Sequence, residues 1–225
     1  MLVFIHGSGC TGDVFASQVT AFPGSRALDL PGHTTPGEPS SVAEFADAVD
    51  LECAALHDVV LVGNSLGGAI ALELALRKRP WLRAVVLIGS GAKLRVSPAI
   101  LEGLAGDFPA AARRIAQYFF AEPLQERVDA AVAEMLRVGQ AQTLRDFQAC
   151  NAFDVTERLA GITVPLLAIT GEKDVMTPPK FAAFLADRVP GATARILPGA
   201  GHLAMVERPD DTNEALRAFV THIES

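Results

Sequence analysis

The sequence has few cysteines, no excess of basic residues and no long apolar run. Its three cysteines, Cys10, Cys53 and Cys150, are an odd number without the spacing of a metal site, so we expect no disulfide framework and a reducing compartment. The formal net charge of −7 argues against a nucleic-acid surface, which needs a basic face. No apolar stretch is long enough to cross a membrane, and no basic segment precedes an apolar one as in a secretory signal. These absences indicate a cytoplasmic protein without nucleic-acid or membrane partners.

What the sequence does contain is a regular alternation of short apolar runs and helical patterns. With 225 residues, 50% of them hydrophobic, the chain can form one domain with a sizeable core. The apolar runs end in glycine or proline and lack polar–apolar alternation, which is typical of parallel strands covered on both faces. We therefore predict an α/β fold with right-handed crossovers. Strands are predicted at 1–7, 25–32, 58–63, 82–90, 165–171 and 192–199, and helices near 13–22, 42–56, 66–79, 179–188 and 210–222.

The alternation stops between about 92 and 160. This segment contains helical patterns such as "AAARRIAQYFF" and "LQERVDAAVAEMLRVG" but no convincing strand. We predict that residues 92–160 form an inserted helical lid and that residues 1–91 and 161–225 form the core. The alternative is a helical subdomain that only extends the core.

A serine among three glycines, "GNSLGG" at 63–68, follows one predicted strand and precedes a helix. G-x-S-x-G at such a junction is the nucleophile-elbow pattern, in which a sharp turn exposes the serine hydroxyl above the sheet. Gly63 and Gly67 would avoid a Cβ clash in this turn, and Gly68 would allow close packing of the helix. We predict that Ser65 is a nucleophile. The alternative is a glycine-rich turn whose serine only caps the helix.

A nucleophilic serine needs a base, and the base needs an acid that orients it. His202 lies in a glycine-flanked loop, "LPGAGH", after the last predicted strand, which is a poor position for a structural core histidine. The loop "GEKDVMTPP" offers two carboxylates at the end of the preceding strand. We predict Asp174 as the acid, because it lies deeper in the loop, and keep Glu172 as the alternative.

Acyl transfer also needs two donors for the oxyanion. The backbone N–H of Leu66, directly after the nucleophile, is one candidate. The second should come from the loop "HGSGCTG" after the first strand, where Ser8 is best placed. A phosphate-binding role for this loop is less suitable, because it lacks both the Lys-Ser/Thr ending of a Walker loop and a regular G-x-G-x-x-G pattern.

Five motifs, "HGSG", "DLPGH", "GNSLGG", "GEKDVMTPP" and "GAGH", follow one another in the order found in the α/β-hydrolase superfamily. The sequence resembles this superfamily over nearly its whole length, and is most similar to small microbial carboxylesterases and meta-cleavage-product hydrolases. The resemblance implies that Ser65, Asp174 and His202 form a catalytic triad. It also implies that Ser8 and Leu66 donate to the oxyanion, and that no metal or organic cofactor is needed.

Two departures from the family pattern affect the expected fold and reaction. Family members usually begin with two further strands, so we expect a sheet of about six strands that lacks the first hairpin. We expect all strands to be parallel, with the strand at 25–30 at one edge, in the order 25–30, 2–6, 58–63, 82–89, 165–170, 193–197. Carbon–carbon bond hydrolases commonly carry a tryptophan after the catalytic histidine, where this sequence has Leu203.

The resulting interpretation is a carboxylesterase that acts through an acyl-enzyme on neutral, moderately apolar small-molecule esters. The alternatives are carbon–carbon, lactone or perhydrolysis chemistry on the same residues, or a ligand receptor or scaffold without catalysis. If the lid covers Ser65, some of its large side chains should form the substrate pocket. The candidates are Tyr118, Phe119, Phe120, Met135 and Leu136.

Overall fold

A computed structural model describes residues 1–224 and contains one six-stranded, all-parallel sheet. The strand order is β2-β1-β3-β4-β5-β6, which confirms the predicted order. The strands are β1 (Leu2–Ile5), β2 (Arg26–Leu28), β3 (Val59–Asn64), β4 (Leu82–Ile88), β5 (Leu166–Gly171) and β6 (Thr193–Leu197). The α-helices are α1 (Ala16–Ala21), α2 (Val42–Cys53), α3 (Leu66–Leu76), α4 (Pro98–Ala105), α5 (Phe108–Tyr118), α6 (Gln125–Val138), α7 (Gln140–Ala152), α8 (Lys180–Arg188), α9 (Ala204–Glu207) and α10 (Pro209–Glu224). Short 3₁₀ segments occupy Gly12–Phe15 and Thr156–Gly161.

The central strands are apolar on both faces because helices cover both sides of the sheet. Successive residues of β3 point to opposite faces: Val59 and Leu61 join one hydrophobic cluster, which includes α2 and α3. Val60 and Val62 join the other, which includes α10 and much of the helical segment after β4. This burial on both faces explains why the strand pattern in the sequence lacks alternation.

The two edge strands are protected differently. β2 is only three residues long, as expected of an edge that resists pairing with another chain. At its start, the Arg26 guanidinium donates to the carbonyl of Glu52 at 2.7 Å. At the other edge, β6 is exposed along four of its five residues, Thr193–Ile196, and Arg195 adds a charge there.

Helices α4 to α7 form a continuous excursion between β4 and β5. Its two ends meet on the core, where the N–H of Val155 donates to the carbonyl of Ala92 at 2.9 Å and Lys93 pairs with Asp154. Apolar residues of this segment, including Phe119 and Met135, belong to the same cluster as Phe4 of β1. The excursion therefore packs on the core as well as on itself. No helix within residues 1–224 is long and apolar enough to span a membrane.

Candidate active site at the carboxyl edge of the sheet

Ser65 stands between β3 and α3 in a strained backbone conformation, with φ 51° and ψ −111°. The glycines around it are required by close backbone packing. A Cβ on Gly63 would lie 2.2 Å from the carbonyl carbon of Gly67, and a Cβ on Gly67 would lie 2.1 Å from the carbonyl oxygen of Ile5. The elbow geometry predicted from the sequence is therefore confirmed for Gly63 and Gly67. Strain of this kind at a non-glycine residue is characteristic of functional sites.

Side chains from the neighbouring strand ends hold the turn. The Ser90 hydroxyl donates to the carbonyl of Ser65 at 2.8 Å. The side-chain amide of Asn64 donates to the carbonyl of Ile88 at 3.0 Å and approaches that of His202 at 3.4 Å. A Cβ on Gly68 would lie 2.4 Å from the Ser90 Cβ, so the glycine after the elbow lets α3 approach the β4 end closely. These contacts connect the serine turn to the loops after β4 and β6.

Asp174 and His202 are buried and hydrogen-bonded to each other. Nδ1 of His202 lies 2.9 Å from Oδ2 of Asp174. The other carboxylate oxygen, Oδ1, accepts backbone N–H bonds from Met176 at 2.8 Å and Thr177 at 2.9 Å. The Thr177 hydroxyl donates to Oδ2 at 2.7 Å and also lies 3.2 Å from Nδ1 of His202. Three donors besides the histidine ring therefore hold the carboxylate in place.

These bonds keep Asp174 ionised. Burial alone would raise its pKa, but the positive charge and hydrogen bond of His202, together with the bonds from Thr177, lower the pKa of Asp174 to about 2. The carboxylate therefore stays charged at neutral pH and accepts a hydrogen bond from Nδ1 of His202. When the ring proton is on Nδ1, the lone pair of Nε2 is free to accept a proton.

The alternative acid, Glu172, is exposed and has a different partner. Its Oε2 accepts the backbone N–H of Gly199 at 3.1 Å, which braces the loop after β6. Sequence reasoning had no means of finding Thr177, because its role depends on the hydroxyl reaching across to a residue 25 positions away.

The loop after β1 places an unpartnered N–H near the serine. His6 accepts the N–H of Leu30 on Nε2 at 3.0 Å, and its Nδ1 lies 2.9 Å from the carbonyl of Gly7. This arrangement fixes the tautomer with the proton on Nδ1, and burial followed by the charge of His33 lowers the pKa of His6 to about 4. Within residues 1–224 the backbone N–H of Ser8 has no hydrogen-bond partner. Leu66 is the first residue of α3, where the N–H has no partner inside the helix.

Ser65 and His202 line two small adjoining cavities of about 50 Å³ and about 10 Å³. Both cavities also contain Ser8, Phe147 and Met176. A larger cavity of about 340 Å³ continues outward past Phe147 and Met176. A fourth cavity, of about 430 Å³, adjoins the 50 Å³ cavity through two shared lining residues, Arg95 and Phe181. The serine therefore lies at the inner end of a largely apolar cleft.

The five residues of the segment 92–160 that were predicted to line the pocket are distributed over different positions. Phe119 lines the innermost cavity and stacks on the His202 ring at 6.1 Å between centroids. Tyr118 lines the outer 340 Å³ cavity. Met135 is fully buried with its side chain against Gly9. Phe120 and the exposed Leu136 line neither cavity that contains Ser65. Other residues of the same segment line the cleft instead: Leu94, Arg95, Val96, Phe147 and Cys150.

Comparison with protein families decides the classification. A model described as "Alpha/beta hydrolase family" matches residues 2–215. The chain belongs to this family. The superfamily predicted from the motifs is therefore confirmed, as is the fold. Within residues 1–224 there is no group of three or more histidine, cysteine or acidic side chains that could hold a metal ion.

Similar members of the alpha/beta hydrolase family are esterases. The pimeloyl-[acyl-carrier protein] methyl ester esterase of Neisseria meningitidis serogroup B is 29% identical, over 96% of this chain and 91% of that protein. The enzyme of the same name from Pectobacterium atrosepticum is 27% identical, over 97% of this chain and 93% of that protein. Among solved structures, a thermophilic esterase is 36% identical with a TM-score of 0.91, covering 99% of this chain and 90% of that one. The chain is thus an alpha/beta hydrolase with esterase homologues.

Proposed function

We propose that the protein hydrolyses carboxylic esters through an acyl-enzyme on Ser65. One observation carries the proposal: Ser65, in a strained backbone conformation, lines the same cavity as His202. Nδ1 of His202 is hydrogen-bonded to the buried, ionised carboxylate of Asp174. A serine needs such a base to become a nucleophile at neutral pH. The esterase homologues support the same chemistry.

The proposed reaction has two steps. In the first, Oγ of Ser65 attacks the ester carbonyl while Nε2 of His202 accepts the hydroxyl proton, and the carbonyl oxygen becomes an anion that accepts bonds from the N–H groups of Ser8 and Leu66. Collapse of this intermediate breaks the C–O bond, and the alcohol leaves with the proton from His202. In the second step, a water that His202 deprotonates attacks the acyl-serine, which releases the carboxylic acid and restores Ser65. Asp174 stabilises the imidazolium that forms in both steps.

We further propose that residues 92–160 act as a lid that shapes the substrate pocket. Five of the residues that line the 50 Å³ cavity belong to this segment. The inner cavities offer little room beside Ser65, while the outer 340 Å³ cavity is lined by apolar side chains such as Ile100, Tyr118 and Met176. We therefore expect a small group on one side of the ester and a moderately apolar, neutral group on the other. Methyl esters, the class named for the Neisseria relative, satisfy the first requirement.

The test is turnover of nitrophenyl esters by the wild-type protein and three variants. Ser65→Ala and His202→Ala should each lower kcat by roughly 10³-fold or more, because the members of such a unit do not act independently. Ser17→Ala, which removes an exposed hydroxyl on α1 away from the described cavities, is the matched control and should keep full activity. Near-normal activity of either site variant would end the assignment of Ser65 and His202.

The same assay separates the ester reaction from its alternatives. A chain-length series of acyl esters would be run beside one phenolic meta-cleavage substrate and one simple lactone. The structure of an N-acyl homoserine lactone degrading enzyme, Est816, is 27% identical to this chain with a TM-score of 0.83, which is why a lactone is included. Faster turnover of the lactone or of the meta-cleavage substrate than of every ester would contradict the proposed ester preference.

A further inference from the structure

The loop that carries Ser8 is held from α7 by a buried carboxylate. Asp146 has no exposed surface, and its Oδ2 accepts the backbone N–H of Gly9 at 2.9 Å. Its Oδ1 accepts the side-chain amide of Gln142 at 2.8 Å. A carboxylate buried this completely is costly unless it is paired and fully hydrogen-bonded, so its presence in the core calls for a compensating group.

His33 supplies the compensation. Its Nε2 lies 3.0 Å from Oδ2 of Asp146, and its Nδ1 lies 3.4 Å from the carbonyl of Pro31. Both ring nitrogens therefore face oxygen acceptors, an arrangement that the doubly protonated ring satisfies and a neutral ring does not. Burial opposes the charge, but the hydrogen bond and the negative charge of Asp146 raise the pKa of His33 above its usual value. His33 and Asp146 form a buried ion pair beside the loop.

Asp146 acts on one of the two peptide units that flank Ser8. The unit before Ser8 is held by its carbonyl: Gly7 accepts from Nδ1 of His6 at 2.9 Å and from the N–H of Cys10 at 3.3 Å. The unit after Ser8 is held by its N–H, which is the Gly9 N–H bonded to Asp146. In a trans peptide the carbonyl and the N–H point in opposite directions. With both units fixed, the Ser8 N–H is turned away from His6 and left without a partner inside the protein.

Asp146 cannot act on a substrate directly. It lines neither of the two cavities that contain Ser65, and its three described hydrogen bonds, from Gly9, His33 and Gln142, are all to groups of the protein. If Asp146 served stability alone, an apolar side chain of similar size would stabilise the core at least as well, because buried ion pairs add little net stability. Its contact with the loop of the oxyanion donor suggests a different reason for its presence.

We propose that Asp146, with His33 as its counter-ion, is a positioning residue that fixes the Ser8 N–H for the oxyanion. The inference rests on the proposed ester hydrolysis and adds the residues that hold one of its donors. Loss of Asp146 would leave the loop free to rotate about Gly9, whose φ of +67° is already outside the range of most residues. Because the oxyanion exists only after attack, the loss should appear in kcat more than in KM.

The experiment compares Asp146→Ala, Asp146→Asn and Gln140→Ala with the wild-type protein. Asp146→Ala should lower kcat for a nitrophenyl ester by about 10- to 100-fold, less than the 10²- to 10³-fold loss when a donor is removed outright, with KM changed less than about twofold. Asp146→Asn keeps an oxygen that can accept the Gly9 N–H and should recover most of kcat. Gln140→Ala removes bonds from α7 to the carbonyls of Leu104 and Ala105 without touching the loop, and should leave kcat unchanged.

A second readout reports the oxyanion directly. A trifluoromethyl ketone adds to Ser65 as a tetrahedral anion, so its inhibition constant should rise in Asp146→Ala by about the factor by which kcat falls. Equal kcat and equal inhibition in wild type and Asp146→Ala would overturn the positioning role, as would a loss confined to KM. If Asp146→Ala does not fold, Asp146→Leu combined with His33→Phe removes both charges together and decides by the same readouts. A wild-type protein that hydrolyses no ester would overturn the proposed function itself, which is a separate outcome.

Discussion

Replacing Asp174 with asparagine would test the orientation of His202, the proposed general base, with almost no change in side-chain shape. The carboxylate accepts bonds from the N–H groups of Met176 and Thr177 on one oxygen, and from Thr177 and His202 on the other. In Asp174→Asn the amide oxygen must serve the two backbone N–H groups, which leaves the NH₂ group facing Nδ1 of His202. An NH₂ group donates, so Nδ1 must accept, and the ring proton moves to Nε2. A protonated Nε2 cannot take the proton of Ser65.

The expected loss is large but smaller than the loss of the nucleophile. The corresponding substitution in a serine protease lowers kcat about 10⁴-fold through the wrong histidine tautomer. We expect roughly 10³- to 10⁴-fold here, equivalent to about 4 to 5.5 kcal/mol in the activation barrier. Ser65→Ala should cost more, because the acid orients the histidine and forms no bond to the substrate. The variant should also be less stable. The pKa of Asp174 is about 2 in the folded protein against an ordinary 3.8, so the ionised carboxylate contributes about 2 kcal/mol to the free energy of unfolding at neutral pH.

The assay is steady-state hydrolysis of a short nitrophenyl ester at pH 7.5, normalised to the folded protein that circular dichroism measures. Glu172→Gln is the matched control, because Glu172 lies in the same loop but contacts only the Gly199 N–H. It should retain wild-type turnover. Normal activity in Asp174→Asn together with a severe loss in Glu172→Gln would show that the acid has been assigned to the wrong residue.

Three further substitutions test the electrostatics and packing around the site. The pKa of His6 is lowered to about 4, so between pH 6.5 and pH 4 the unfolded chain binds a proton that the folded protein excludes. This difference destabilises the folded protein by about 3 kcal/mol as the pH falls through that range, and urea unfolding should show that His6→Gln removes it. An equal pH dependence of the free energy of unfolding in both proteins would contradict the neutral buried ring. Gly67→Ala would place a Cβ 2.1 Å from the carbonyl oxygen of Ile5 and should lower the free energy of unfolding by at least about 3 kcal/mol, measured by thermal unfolding. Gly161→Ala is the control and should be tolerated, because the nearest atom to its added Cβ would be 3.7 Å away. Arg95 lines the cavities of about 430, 340 and 50 Å³, and no acidic residue within residues 1–224 lines any of these three. Arg95→Glu should lower kcat/KM for an ester with an anionic tail about tenfold relative to a neutral ester, and an unchanged ratio would show that the tail does not reach Arg95.

The features of the fold that were predictable are those that local chemistry determines. β3 is recognisable because a strand buried on both faces needs uninterrupted apolar residues, and the elbow because Gly63 and Gly67 face backbone at distances that exclude any Cβ. The order of the six strands follows from the family connectivity and from right-handed crossovers. Each of these inferences depends on residues close together in sequence or on a general topological rule.

The helical segment 92–160 shows where such inference ends. Large apolar side chains of an amphipathic helix can face the neighbouring helices or the cleft, and periodicity does not distinguish the two. Phe119 and Tyr118 line cavities, yet Met135 is buried against the loop after β1 and Leu136 is exposed. Phe147, which lines both cavities at Ser65, looks in the sequence like any other core residue of a helix.

The His33–Asp146 pair lies further beyond sequence reasoning, and for a physical reason. On α7 the polar residues Gln142, Thr143 and Asp146 fall on one helical face, and a polar face ordinarily indicates contact with water. Here all three are buried, because that face packs against the loops after β1 and β2. Local preference and tertiary placement therefore disagree at this face, and natural proteins tolerate such conflicts mainly where function requires them. Burial makes the charge of Asp146 costly, yet Asp146 binds the backbone N–H next to Ser8, the proposed oxyanion donor. We infer that the geometry of Ser8 has been kept at the expense of core stability.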